Sequence, residues 1–243
     1  MWPSPGVQTV AMSTRRPPRA LLVLLVLSVT ACVLLSGCAA SFRPDGDEAV
    51  AARSAGDAAA ERLLDEVTEG AQPVGSAVFD QCTEGQHNWK RHDDYDHECD
   101  LAHSRVVPGA ATTAEVDASL RAMHRRALGA GCTLLYGDSG LEGVSDGYWP
   151  SRQGMANPSP GMMPSGRYSC ATGDGPPVEL EVEPYAAGRD ERYDLRPDVM
   201  LTPYIATRTQ RSEPFPDSTE SAVAGSGLAL HYVVTAKVAY LVV

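Results

Sequence analysis

The chain has 243 residues with 20 basic and 31 acidic side chains, a formal charge of −11 and a sequence pI near 4.9. A surface so acidic disfavours nucleic acid and anionic lipid as direct partners. Three phenylalanines and three tryptophans serve the whole length, so the core must be mainly Val, Leu and Ala, in one sizeable domain or two small ones.

Arg15, Arg16 and Arg19 stand directly ahead of ALLVLLVLSVTACVLLSG, an uninterrupted run of apolar and small residues. That order reads as a signal peptide. The run approaches the length of a short membrane span, so a retained helix is the competing reading. Its end favours cleavage, because Leu35-Ser36-Gly37-Cys38 resembles the lipobox of bacterial lipoproteins. In that family the cysteine thiol carries a diacylglycerol and the chain is cut just before it. The resemblance implies lipidation of Cys38, a lipoprotein signal peptide over residues 1–37 and a tether over 38–47. It also implies a membrane partner reached through acyl chains on the extracytoplasmic face of the cell membrane. Removing residues 1–37 takes away three basic residues and no acidic one, which moves the formal charge to −14. No polybasic patch follows Cys38, so the acyl chains alone would hold the protein to the bilayer.

Residues 48–69 read as a helix, opened by Asp45 with Glu48 three positions on and closed by Gly70. Its second half has the better stripe, Ala60, Leu63, Leu64 and Val67, whereas the Ala-rich first half around Gly56 is expected to fray or act as a stalk. After Pro73, VGSAVFDQC is a predicted strand and CDLAHSRVV its returning partner, making residues 74–107 a long-looped hairpin. Thr112 and Glu115 form a capping box for a helix to Leu128, with Val116, Leu120, Met123 and Ala127 on one face. Gly129 and Gly131 end it, and CTLLYG is a short strand.

Residues 137–166 are rich in Gly, Pro, Ser and Asp without an apolar period, so a long loop is expected. Order resumes at GRYSCATG and at PVELEVEPY, whose Val178, Leu180 and Val182 alternate as in a half-buried strand. Residues 186–226 read as irregular apart from VMLTPYIATRT, which Pro203 restricts to a sheet edge. In the C-terminal stretch, Leu228, Leu230, Tyr232, Val234, Ala236, Val238, Tyr240 and Val242 form one apolar face, with His231, Thr235 and Lys237 on the other. The order predicts a single exported α+β domain over 48–243, with an antiparallel sheet, two helices and long irregular loops.

With Cys38 assigned to lipid and Cys32 in the signal peptide, Cys82, Cys99, Cys132 and Cys170 remain. An even count in an exported chain points to two disulfides in one of three connectivities. Cys82 with Cys99 closes the hairpin and Cys132 with Cys170 joins two later strands, and this pairing is preferred. Each closure is worth about 3 to 4 kcal/mol in the chain-entropy account.

The stretch QCTEGQHNWKRHDDYDHECD invites a second reading, because zinc prefers Cys and His ligands and His87, His92, His97 and His103 alternate with Cys82 and Cys99. C-x-x-C and H-E-x-x-H are absent, and an oxidising compartment favours disulfides over thiolates. A stapled, solvated loop is therefore preferred, with Trp89 and Tyr95 pinning it to the domain. The acids Asp93, Asp94, Asp96, Glu98 and Asp100 lack EF-hand spacing.

Gly137-Asp138-Ser139-Gly140 resembles the segment around the nucleophile of chymotrypsin-like serine proteases. The next residue is Leu141 rather than glycine, and His124 or His103 would have to supply the base, so a turn is expected. Met155, Met162 and Met163 lack an M-x-x-M pattern, which favours a plain loop over a copper site. Arg121, Arg125 and Arg126 with His124 read as a solvated face that complements the helix dipole. No catalytic residue and no cofactor is expected.

The pattern from Asp80 to Arg105, with DQC, EGQHNWK and YDHECDLAHSR followed by a helix and Gly-Cys, is similar to small exported proteins and lipoproteins of actinobacteria. The similarity spans roughly residues 74–135, implies a structural Cys82–Cys99 pair and brings no activity with it. The expected function is a non-enzymatic envelope module that binds an unknown envelope protein or small ligand. A metal-binding lipoprotein using the His87 to His103 loop is the alternative, and a hydrolase using Ser139 stands third.

Overall fold

The C-terminal strand is the axis of the fold. The computed structural model describes residues 43–90, 92–135, 137–153, 163–172, 175–185 and 207–243. Seven strands are formed: β1 (Gly75–Glu84), β2 (His97–Pro108), β3 (Cys132–Leu134), β4 (Gly166–Cys170), β5 (Val178–Tyr185), β6 (Thr207–Glu213) and β7 (His231–Val242). They make one sheet in the order β3-β4-β5-β7-β2-β1-β6. Every neighbouring pair is antiparallel. The helices are α1 (Asp47–Thr68), α2 (Val116–Gly129), α3 (Gly140–Gly143), α4 (Trp149–Gln153) and α5 (Ser218–Gly225). The α+β class, the antiparallel sheet and the two long helices match the sequence expectation, and all these elements belong to one unit over Arg43–Val243.

β7 is flanked by β2 and β5 and is buried on both faces. On one side Val238 and Tyr240 meet α1, and the Tyr232 hydroxyl bonds Ser119 of α2 at 2.7 Å. On the other side Val233 packs with Ala77, Val106, Tyr185 and Phe215 and with Val223 of α5. Thr235 reaches Ser104 at 2.8 Å. His231 is wholly buried, neither ring nitrogen has a hydrogen-bond partner among the described residues, and burial holds its pKa below the ordinary 6.5. Its sequence periodicity distinguishes the two faces, but both are interior. The register shifts once, where Cys99 faces Leu241 and Asp100 faces Ala239, leaving Tyr240 as the extra residue of a bulge.

The expected Asp45–Glu48 capping box does not form on α1: the N-cap is Gly46 and no side chain caps it. Asp47 and Glu48 instead place negative charge in the first turn, where the helix dipole favours it. The helix leaves through Glu69 and Gly70, both left-handed, with Gly70 N–H donating to the Asp65 carbonyl at 3.0 Å. Its first half neither frays nor forms a stalk, since Ala49, Gly56, Ala59 and Ala60 are buried with Leu63, Leu64 and Val67. A Cβ at Gly56 would lie 3.1 Å from Tyr240 Cβ, so the glycine is what lets the helix backbone close onto β7.

A line of charges sets the direction of α1. Arg53 Nε lies 2.6 Å from Asp80, whose side chain is 1% exposed. Tyr240 donates its hydroxyl to the other Asp80 oxygen at 2.8 Å, with the Arg53 guanidinium 5.6 Å above the tyrosine ring. Burial pushes the Asp80 carboxyl upward, opposed by the Tyr240 hydrogen bond and the Arg53 charge. One turn on, both ring nitrogens of His103 face carboxylates, Asp57 and Glu61, at 2.7 Å each. Next, Arg105 reaches Glu61 and, at 2.6 Å, Asp65. Since His103 pairs with Val78 and Arg105 with Ser76, α1 runs antiparallel to β1, and its N-terminus lies at the Cys82–Glu84 end of the sheet.

α2 follows the expected capping box of Thr112 and Glu115 and buries Val116, Leu120, Met123 and Ala127. Two segments read as irregular carry helix. Residues 140–153 are helical because Leu141, Val144 and Trp149 supply just enough buried surface. α5 does so with Thr219 and Val223 alone, four positions apart. β6, on the outside of β1, overlaps the expected edge strand only at 207–209 and continues through 210–213, which read as irregular; residues 199–206 of that expectation lie outside the described residues.

The seam predicts a mutational signature. Arg53→Met leaves a buried carboxylate without its cation and is expected to lower the unfolding free energy by about 3 kcal/mol. Asp80→Leu leaves a cation that can turn to solvent and should cost less, while the double variant recovers most of the loss. Urea denaturation of the four proteins checks this, and simply additive losses would contradict the pairing.

Candidate functional site

The two disulfides frame the chemistry. Cys82 and Cys99 are direct partners in the β1–β2 ladder with Cα atoms 4.0 Å apart, and Cys132 and Cys170 are direct partners in β3–β4 at 3.9 Å. Both bonds are those preferred from the sequence. Cys38 lies outside the described residues.

Beyond the first staple the chain forms a hairpin tip of its own. Gly85 N–H donates to the Asp96 carbonyl at 2.7 Å, and any Cβ at Gly85 would strike the Tyr95 carbonyl. Gln86 N–H donates to the Asp93 carboxylate and Asp93 N–H to the Gln86 carbonyl, both at 2.8 Å, while Lys90 N–H donates to Asn88 Oδ1. His97 and Asp96 also bond the backbone of Val243. Of the two aromatic residues expected to pin the loop, Tyr95 is half-buried. Trp89 is 89% exposed rather than pinned to the domain, with Lys90 Nζ 5.0 Å from its ring centre.

The four histidines separate into two settings. His87 and His92 face each other across a β-bridge with Nδ1 atoms 3.4 Å apart, and His87 Nε2 lies 2.9 Å from Asp96. His97 opens β2, and His103 is buried beneath α1 between Asp57 and Glu61. Among the described residues no three His, Cys, Asp or Glu side chains gather to hold a metal ion. Asp100, mostly buried with Lys237 4.0 Å away, has its carboxyl pushed up to about 6 by burial.

The second candidate lies beside the GDSG turn. Asp138 accepts the Gly140 N–H at 2.7 Å and Arg167 Nε at 3.2 Å, and Gly137 and Gly140 take positive φ. Gly140 also leaves room for the Tyr168 hydroxyl, which accepts the Leu141 N–H at 3.0 Å and meets His124 Nδ1 at 2.9 Å. Burial pushes the Tyr168 phenol up to about 12. His124 turns its other nitrogen toward Glu142 at 3.5 Å. Both ring nitrogens of His124 and of His103 are thus directed at groups other than Ser139.

A cleft of about 570 Å³ opens here, lined by Asp138, Ser139, Tyr148, Arg167, Glu179 and Glu181 among others. Burial raises the Glu181 carboxyl, opposed by a Ser165 hydrogen bond and reinforced by repulsion from Glu183 and Glu179. Arg167 is opposite Glu181 in the β4–β5 ladder, and Lys237 is opposite Glu179 across β5–β7. These acids are not among the residues that the sequence singles out as candidates. Their signal was the alternation in VELEVEPY, which puts Glu179, Glu181 and Glu183 together on one face.

Two other sequence features are tied up in packing or lie elsewhere. Arg121 pairs with Asp117 and Asp146, and Arg126 with Glu69 at the C-terminal cap of α1 at 3.0 Å, so these two arginines join elements rather than form a free solvated face. Met155 and Met162 lie outside the described residues. No helix among the described residues is long and apolar enough to cross a membrane. Comparison with protein-family models, curated proteins and solved structures gave no match to this chain.

Proposed function

We propose that the protein is an envelope lipoprotein, held to the outer face of the cytoplasmic membrane by acyl chains on Cys38, whose domain is a non-catalytic module for a small, positively charged ligand. The observation that carries the ligand half is the cleft: it combines room for a small molecule with three carboxylates, Asp138, Glu179 and Glu181, against one lining cation, Arg167, which pairs with Asp138 and faces Glu181 across the β4–β5 ladder. The anchor half is supported by the basic, apolar and lipobox order of residues 15–38. It is also supported by the pairing of the four remaining cysteines in disulfides, as suits an oxidising compartment.

A raised Glu181 pKa means that its charge is lost at a higher pH than for an ordinary carboxylate. As pH is lowered, affinity for a cationic ligand should therefore begin to fall at a higher pH than an ordinary carboxylate would give. Calorimetric titration of the protein with spermidine and agmatine is expected to show this fall, and Glu181→Gln should weaken binding about tenfold and flatten the pH dependence. Equal binding of an anionic probe such as citrate, or an unchanged Glu181→Gln variant, would contradict the reading.

One observation favours a second reading, in which the stapled loop holds a transition metal. Two imidazole nitrogens each about 2.0 to 2.1 Å from a tetrahedral zinc stand about 3.3 to 3.4 Å apart, and the His87 and His92 Nδ1 atoms already have that spacing. Asp96 on His87 Nε2 supplies the outer carboxylate that such ligands use for orientation. Water would complete the coordination. Zinc titration followed by histidine ring NMR is expected to move His87 and His92 together and leave His103 in place; no response of that pair would remove this reading.

A further inference from the structure

We propose that the hairpin end of the domain rests on the bilayer surface, with Trp89 entering the lipid interface as a second contact beside the acyl anchor. The inference rests on the lipid-anchor reading of Cys38 and adds an orientation to it. The antiparallel course of α1 along β1, fixed by Arg53 with Asp80 and by Asp65 with Arg105, brings Arg43 and the helix N-terminus to the end of the sheet that carries the 85–96 loop. Cys38 precedes Arg43 by five residues, a stretch that can span at most about 18 Å. A lipid on Cys38 therefore keeps this end of the domain close to the headgroups.

The same end gathers exposed apolar side chains. Of the six large hydrophobic residues exposed among the described ones, four lie here: Val50 on α1, Trp89 at the loop tip, and Val242 and Val243 at the end of β7. The Val243 backbone is bonded to Asp96 and His97 at the base of the loop, which places the end of β7 beside it. Exposed apolar surface concentrated at one place marks a contact rather than chance scatter. A tryptophan with a lysine over its ring suits the bilayer interface, where the indole enters the headgroup region and the ammonium stays in water.

The charge balance narrows the kind of lipid. Asp93, Asp94 and Asp96 share the 85–96 stretch with Lys90 and Arg91, a formal charge of −1 with histidines neutral, so the contact is apolar and interfacial rather than electrostatic, and it should not require anionic lipid. The loop is also preorganised by the Cys82–Cys99 staple and its internal hydrogen bonds, so little chain entropy is lost on docking.

The test uses the mature chain carrying Trp149→Phe, which leaves Trp89 as its one indole, coupled through Cys38 to a maleimide lipid in phosphatidylcholine vesicles. Brominated acyl chains are expected to quench Trp89 and its emission to shift to the blue, and Trp89→Ala should lower partition of the uncoupled domain onto such vesicles by about tenfold. Trp89 that stays unquenched, with the emission of the free domain, would overturn the proposal. Crosslinking of an unquenched Trp89 position to an envelope protein would overturn it in favour of a protein pocket. The mass of native protein extracted from membranes tests the anchor separately. An unmodified Cys38 would defeat the lipoprotein reading, and with it the orientation in the cell, while the coupled vesicles still report whether Trp89 enters lipid.

Discussion

The Asp80 carboxylate, almost fully buried under α1 and held by Arg53 and Tyr240, is the contact on which the arrangement of this domain depends. An apolar pair of the same shape would be at least as stabilising, because both charges must first leave water. What the ion pair supplies is position. If α1 slid by one turn, Asp80 would lose its cation, and His103 would no longer lie between Asp57 and Glu61. Gly56 adds a steric condition at the same place, since only a glycine lets the helix come this close to Tyr240 and Val238.

From that docking the rest follows in space. α1 and α2 cover one side of a sheet whose central strand, β7, is sealed on the other side by Phe215 and Val223. The N-terminus of α1 is brought to the end where the β1–β2 hairpin extends past its disulfide, and the loop presents Trp89 and the His87–His92 pair there. The polar cleft lies elsewhere, where the GDSG turn meets β4 and β5.

Much of the fold was legible in the sequence because burial writes periodicity. The stripe of α2, the alternation of β5 and the apolar C-terminal run each name their element. The disulfides were legible because Cys82 and Cys99 flank a hairpin, so adjacency in the ladder follows from the strands. The seam was not. Arg53, Asp57 and Glu61 look like an ordinary solvated helix face until β2 places His103 and Arg105 beneath them. The cleft was hidden for a similar reason: Glu179 and Glu181 come to line it only when a turn some forty residues earlier in the chain folds beside them. The helical segments at 140–153 and 218–225 bury too few side chains to show a period. Trp89 was misread because aromatic residues are expected to be buried, whereas this loop closes through its own backbone and leaves the indole outside.

The direction of α1 is the claim from which the orientation of the domain is drawn, and a pair of distances tests it. Spin labels on non-natural residues at positions 45, 70 and 89 leave the four cysteines paired, and the 22-residue helix separates the first two by roughly 33 Å along its axis. Pulsed electron resonance should find 45 closer to 89 than 70 is. A shorter 70-to-89 distance would mean that α1 runs the other way along the sheet and that the Arg53–Asp80 seam does not exist.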